Sequence, residues 1–375
     1  MSLSRFLLLC AVSVGLISGC SSQLTRMIIS EQGSDELAVV DLETRSDSDT
    51  MINLPVNEPV SAFNSVKVDV HPWGNIGYAK LPDGTNYKLN LNSGEVIAEN
   101  SMPLKSIVKF THNGLMVLTA QADSSVISVF DVLNSQQLND YSFTNRSIRD
   151  MAMCNNNKTL LVVSHDFSHR YYISRFTLNS VGHLANQEQE ITSLEVVKGV
   201  VCNSSSVSGA AIAGNHLLTF VFDDTDGLTQ VEFIAGIVNG PIDKEHAGSN
   251  PPISQSLAFS PNGRDLYVRF STLGYYYPQG WLEKFSFNKT TAKLRTRPNW
   301  LAEAPHSTSS GENTRLTIHP SGGYIYMPNR TMGEIMVIDT ATGNLSESII
   351  INEVTAPSFI SISPVKCLDW NQMGC

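Results

Sequence analysis

The sequence predicts an all-β chain made of one repeated unit. Three observations carry that prediction. Short apolar runs alternate with polar residues along the chain, tight turns rich in Gly, Asn and Ser separate them, and the pattern returns every 40 to 59 residues.

Residues 316–330, LTIHPSGGYIYMPNR, show the unit most clearly. Leu316 and Ile318 alternate with polar neighbours, His319 to Gly323 supply a turn, and Tyr324 to Met327 resume the alternation. The continuation, TMGEIMVIDTATGNLSESIII, supplies a third and a fourth strand. The opening hairpin returns as VKVDVHPWGNIGYAK from Val66, IVKFTHNGLMVLTA from Ile107 and RDMAMCNNNKTLLVVS from Arg149. It returns again as VKGVVCNSSSVSGAAIAG from Val197 and SLAFSPNGRDLYVRFS from Ser256. Aligned on His71, Thr111, Cys154, Cys202, Ser260 and His319, the units lie 40, 43, 48, 58 and 59 residues apart.

The second half of each unit repeats as well. Asp41, Asn90, Asp131, Thr177, Ser286 and Asp339 each end a strand before a turn. A short polar side chain there accepts hydrogen bonds from the turn's backbone N–H groups, which is a structural task.

Six complete units leave a split remainder. Arg26 to Pro55 holds three strands and no opening strand, while Pro357 to Pro364 is an opening strand with nothing complete after it. Joined, they make a seventh unit. Four short strands per unit and roughly 40–50 residues per unit match propeller arithmetic. The expected fold is a seven-bladed β-propeller of four-stranded antiparallel blades, closed by a blade shared between the N- and C-termini. Counting that shared blade first, Val66 opens blade 2 and Leu316 opens blade 7.

The stretch HPSGGYIYMPN…GEIMVIDTATGNL resembles the YVTN-type β-propeller repeat, whose pattern is HPDGKYVYVTN…VSVIDTATGK. The match is strong over 316–345, good over 66–95 and 256–270, and blurred elsewhere. No WD dipeptide ends the blades, which disfavours the WD-repeat class. Propellers of the 6-phosphogluconolactonase and muconate-lactonizing kind share this loose pattern. The resemblance therefore implies a lactonase-like reading, although a fold alone does not transmit an activity.

The N-terminus carries the sharpest local signal. In MSLSRFLLLCAVSVGLISGC, Arg5 is a positive n-region and Phe6 to Ile17 an apolar segment of 12 residues, shorter than the roughly 20 a spanning helix needs. Ile17-Ser18-Gly19-Cys20 resembles the lipobox of bacterial lipoproteins. That resemblance implies cleavage after Gly19 and acylation of Cys20; an ordinary secretory leader with an unrelated Cys is the alternative. The expected organisation is a signal peptide at 1–19, a lipidated tether at 20–25 and one propeller at 26–375. With Ser21 next to the anchor, the family's sorting rule points to the outer membrane of a Gram-negative cell. The side faced stays open.

Composition narrows the partners. Formal net charge is −10, and −11 once Arg5 leaves with the leader. No basic run occurs, so nucleic-acid binding is not expected. The charged fraction of 16% is low, and Ser, Thr and Asn fill the surface instead.

No Gly-rich phosphate loop, GxSxG, HExxH or CxxC occurs. His71 and His319 hold equivalent places, but their counterparts are poor metal ligands, so both read as turn residues and no metal or cofactor is expected. His165 to Arg170 (HDFSHR) is the densest titratable cluster and reads as a solvated loop. A lactonase needs Arg, His and acid groups converging on the central channel. Arg149, Arg264 and Arg315 lie near the strands that line such a channel.

The leading functional expectation is a binding or scaffold role. Gly236 to Ser254, Leu273 to Gly280 and Arg295 to Asn313 are long irregular segments on one face around the sixth blade. They gather Tyr275, Tyr276, Tyr277, Trp281, Trp300, Arg295 and Arg297, residue types favoured at protein interfaces and able to stack on sugars. The expected partner is another envelope protein or a glycan. The opposing reading has these aromatics packed inward against the blade. Cys10 leaves with the leader and Cys20 is acylated, so Cys154, Cys202, Cys367 and Cys375 remain. An even count in an oxidising compartment suggests two disulfides, with Cys367–Cys375 and Cys154–Cys202 preferred among three connectivities.

Overall fold

The computed structural model describes residues 25–42, 50–56, 58–62, 64–154, 157–214, 216–223, 227–234, 253–271, 280–295, 299–305 and 316–362. Every regular element among them is a β-strand. The strands form seven antiparallel sheets in chain order around a central axis, a β-propeller.

Blade 1 is built from both ends of the chain. Pro357–Ile362 is its innermost strand, followed outward by Arg26–Glu31, Glu36–Asp41 and Thr50–Asn53. The closing register pairs Met27 with Ile362, Ile29 with Ile360 and Ser30 with Phe359. Blades 2 to 5 are consecutive four-stranded meanders whose innermost strands are Lys67–Val70, Ile107–Phe110, Arg146–Met153 and Val197–Cys202. Blade 6 starts at Ile253–Phe259, and its third strand, Gly280–Asn288, pairs outward with both Lys293–Leu294 and Trp300–Ala304. Blade 7 runs from Thr317–Ile318 to Ile349–Ile350.

The alternation seen in the sequence buries both faces of each blade. Each of the seven hydrophobic clusters lies between two neighbouring blades. Ile28, Leu37 and Ile52 of blade 1 meet Val68, Ala79 and Leu89 of blade 2. The last interface brings Met27, Ile29 and Ile360 of blade 1 against Tyr326, Ile335 and Val337 of blade 7. Burial of these side chains, at roughly 1.5–3 kcal/mol each, is what holds one blade to the next.

The turn after each innermost strand sets a second belt of inter-blade contacts. The N–H groups of His71, Thr111, Cys154, Asn203, Ser260 and His319 each donate to the carbonyl five residues on. Asn203, not Cys202, therefore holds the place equivalent to His71. The Ser-rich turn of blade 5 closes one residue later than the sequence alignment puts it.

That offset explains the disulfide between Cys154 and Cys202, whose Cα atoms are 5.3 Å apart. Residues at the belt position point toward the following blade. The His71 ring N–H donates to the Gly114 carbonyl at 2.9 Å, and the Asn203 amide donates to the Gly263 carbonyl at 2.8 Å. One residue earlier, the side chain points back toward the preceding blade, as Phe110 does against His71 at 5.2 Å. Cys154 looks forward and Cys202 looks back, so the sulfurs meet. Cys367 and Cys375 lie outside the described residues.

The polar turn chemistry also shifts in two blades. Asn90, Asp131 and Asp339 accept turn N–H groups as expected. In blades 4 and 6 Asn179 and Asn288 do so, two residues beyond Thr177 and Ser286, because the third strands run longer.

Blade 6 holds two buried charges on opposite faces. Glu283 pairs in register with Val268 and Arg269 with Leu282, adjacent positions that point apart. The Arg269 guanidinium donates to the Pro305 carbonyl, and burial lowers its pKa to about 10. Burial lifts the Glu283 carboxyl to about 7, the neighbouring Trp281 indole offsetting part of the rise. Because the folded value exceeds the unfolded one, ionising Glu283 opposes folding. The penalty is absent below about pH 4.5, grows up to about pH 7, and is constant above at about 3 kcal/mol. Glu283→Gln is thus expected to raise stability by up to that amount in alkaline buffer and by little in acid. Chemical denaturation at the two pH extremes checks this.

Candidate functional site

Side chains from all seven blades line a central cavity of about 350 Å³. Phe359 comes from blade 1, Lys67, Asp69 and Lys80 from blade 2, and Lys105, Ser106 and Lys109 from blade 3. Arg149 and Asp150 come from blade 4, Lys198 and Gly199 from blade 5, Ser256 from blade 6 and Leu316 from blade 7. Six basic groups thus face two carboxylates inside a chain whose formal net charge is −10. A concave low-dielectric wall concentrates such a field on the space it encloses.

Five of the six cations collect at one end, and Lys109 lies nearer the belt turns. Lys67 opens the innermost strand of blade 2 and pairs directly across from Lys80, which closes the next strand. Like charges in that relation repel. Lys105 precedes the innermost strand of blade 3 and donates to Ser128 Oγ at 3.0 Å. Burial lowers the Lys80 pKa first, and repulsion from Lys67 and Lys105 lowers it further. Burial alone lowers that of Lys198. Cations gathered against their own repulsion and partly stripped of water are an arrangement that an incoming anion relieves.

Three innermost strands bulge at the same place. In blade 4 the register steps from Ile148–Ser164 to Asp150–Val163, leaving Arg149 as the extra residue. In blade 5 it steps from Val197–Ala213 to Gly199–Ile212, leaving Lys198. In blade 6 it steps from Ser254–Phe270 to Ser256–Arg269, leaving Gln255. A bulge re-aims the side chain it carries, and here two of the three carry cations that line the cavity.

In blades 4 and 6 the residue after the bulge joins its inner strand to that of the next blade. Asp150 Oδ2 accepts the Val200 N–H at 3.1 Å, and Ser256 Oγ accepts the Leu316 N–H at 3.3 Å. Asp150 and Asp69 are the two carboxylates on the wall among the described residues. Arg149 also reaches Asp123 at the rim, Nε to Oδ1 at 3.2 Å.

Of the arginines singled out for the channel, Arg149 lines it. Arg264 lies on a separate groove beside Asn262 and Lys289, and Arg315 lies outside the described residues. No local sequence pattern marks the lysines, because they stand on different strands and blades and only the ring brings them together.

The aromatic loop residues divide. Tyr275, Tyr276, Tyr277 and Arg297 lie outside the described residues. Trp281 is buried among Val268, Phe285 and Leu217 between blades 5 and 6. Trp300 lies against Gly343 and donates its indole N–H to the Thr340 carbonyl of blade 7 at 3.1 Å. Arg295 is exposed in the groove with Arg264. It follows the short strand Lys293–Leu294 and precedes Trp300–Ala304, the main outer strand of blade 6. That strand divides the segment read as one long loop, so Trp281, Trp300 and Arg295 do not share a surface.

The titratable loop His165 to Arg170 is a tight turn. Asp166 accepts the N–H groups of Ser168 and Arg170, and these bonds together with the Tyr172 hydroxyl lower its pKa. His71 is buried with its pKa lowered to about 4, chiefly by burial, so it is a neutral turn residue. No group of three His, Cys, Asp or Glu suited to a metal occurs among the described residues.

No protein-family profile matches the chain, and no curated protein matches it in sequence. Solved structures do match in shape. A periplasmic gluconolactonase from Pseudomonas aeruginosa superposes with a TM-score of 0.61 at 12% identity, covering 90% of this chain and 99% of its own. A putative 6-phosphogluconolactonase from Bacteroides uniformis gives 0.60 at 17% identity, covering 91% and 100%. A functionally unknown protein from Desulfotomaculum acetoxidans gives 0.63 at 13% identity, covering 90% and 98%. At these identities the likeness is one of fold.

Proposed function

We propose that the chain binds a small anionic, hydroxyl-bearing molecule of the sugar-acid kind in its central channel. The observation that carries this reading is the convergence of Lys67, Lys80, Lys105, Arg149 and Lys198 on one cavity. Ser106 and Ser256 offer hydroxyl partners on the same wall. A docking role for the loops around the sixth blade is less well supported, since Trp281 and Trp300 pack inward.

Lactone hydrolysis is the second reading. The lactonase names of two structural neighbours favour it, and so does the presence of Asp69 among cations. In that chemistry the cations stabilise the developing oxyanion while a carboxylate takes a proton from water. The lining holds no histidine among the described residues, so Asp69 is the candidate base. We place the protein at the bacterial envelope, acylated on Cys20 and held to the outer membrane, on the strength of the lipobox-like ISGC at residues 17–20.

Calorimetric titration with an aldonic acid, its phosphorylated form and the neutral parent sugar tests the binding reading. The acids are expected to bind and the neutral sugar not. Lys67→Ala with Lys198→Ala is expected to cost at least about tenfold in affinity, each charged hydrogen bond contributing about 1.5–3 kcal/mol. Because Lys80 and Lys198 lose their protons more readily than ordinary lysines, affinity should fall with rising pH earlier than a normal lysine allows. Equal binding of acid and neutral sugar refutes the reading. A pH-stat assay with a sugar lactone, wild type beside Asp69→Asn, decides the hydrolytic one.

A further inference from the structure

The ring geometry fixes where the N-terminal tether leaves the body. Met27 lies opposite Ile362, so Arg26–Glu31 starts at the end where the innermost strands finish. Thr25 therefore emerges on the face of the belt turns, opposite the lysine-rich end of the channel. Arg26 confirms the side by hydrogen-bonding Asn92, which sits in the turn between the third and fourth strands of blade 2.

That same face carries an open groove of about 820 Å³ on blade 6. It is lined by Arg264, Lys289, Lys293 and Arg295 with one carboxylate, Asp265. Asp265 also faces Lys284 Nζ at 3.5 Å, and Glu232 accepts the Leu294 N–H at 2.9 Å, so the four cations outnumber the two carboxylates beside them and the groove is net basic. In an acidic protein, a basic groove on the face from which the chain's anchor departs has a clear electrostatic complement.

We propose that this face lies against an anionic phospholipid surface, with Arg264, Lys289, Lys293 and Arg295 contacting headgroup phosphates. The channel's lysine-rich mouth then points away from the membrane, open to solutes. The orientation rests on the lipid-anchor reading, whereas the headgroup contacts rest on the groove alone. Basic residues at an anionic membrane surface contribute roughly 1 kcal/mol apiece, which is about fivefold in partitioning.

The test separates the groove from the anchor. All seven blades lie between Thr25 and Ile362, so a chain starting at Ser21 keeps the whole propeller and lacks the acyl group. Its co-sedimentation is measured with vesicles of phosphatidylcholine alone and of phosphatidylcholine mixed with phosphatidylglycerol. Binding is expected to the mixed vesicles, to weaken with added salt, and to drop at least tenfold in the R264S/K289S/K293S/R295S variant. Inorganic phosphate competing at low concentration would reveal a soluble-phosphate site and overturn the membrane assignment. Equal binding to both vesicle types, unchanged binding of the variant, or no binding to either would overturn it too. An unchanged melting temperature verifies the variant's fold, and intact acid binding in the channel keeps this result distinct from the functional reading above.

Discussion

A chain ended before Pro357 is expected to lose the propeller rather than one strand. Without Pro357–Ile362, the strand Arg26–Glu31 becomes a bare edge turned toward the channel. Ile360 and Ile362 leave the cluster that joins blade 1 to blade 7, and Met27 and Ile29, wholly buried in the intact protein, face water. With one blade unable to seal, the ring's neighbours on both sides are exposed. The expected product is an aggregating or loosely collapsed chain. Ile360→Ala is the graded version, expected to cost about 2–5 kcal/mol. Chemical denaturation of that variant and a near-ultraviolet circular dichroism spectrum of the truncation check both. A truncated chain with native spectrum and cooperative unfolding would show that the ends do not close the ring.

Removing the disulfide is expected to cost about 4 kcal/mol, since its two cysteines are 48 residues apart and the cost grows with the loop closed. Cys154 is buried and contributes to the core between blades 4 and 5, so Ser at that position also leaves a polar group in an apolar site. Reduced wild-type protein is therefore the cleaner comparison, with Cys154→Ser/Cys202→Ser expected to be somewhat worse. Denaturation midpoints measured with and without a reductant decide it. A midpoint that does not move would mean that the blade 4–5 interface is held by packing alone.

The fold was legible because a propeller repeats its information. HPSGGYIYMPNR alone gives the hairpin, its returns give the number of sheets, and the unmatched ends at Arg26 and Pro357 give the closure. Single-residue register was harder. The turns at Cys202 and Thr177 look aligned in sequence, but strand length and turn closure move the equivalent positions to Asn203 and Asn179. The candidate site was legible only in Arg149. Lys67, Lys80, Lys105 and Lys198 stand far apart in sequence, and Arg149 and Lys198 face the channel at bulges that no local pattern announces. The aromatic residues around blade 6 are conspicuous by contrast, yet Trp281 and Trp300 look the same in a sequence whether they face a partner or a neighbouring blade.

The central claim is that the basic end of the channel takes up an anion. Crystals soaked in an anion with a strong anomalous signal, such as iodide or selenate, test it most directly. An anomalous peak is expected inside the cavity, within reach of Lys67, Lys80, Lys105, Arg149 or Lys198, and is expected to disappear in Lys67→Ala/Lys198→Ala. Peaks confined to the outer surface, with none in the channel, would contradict it.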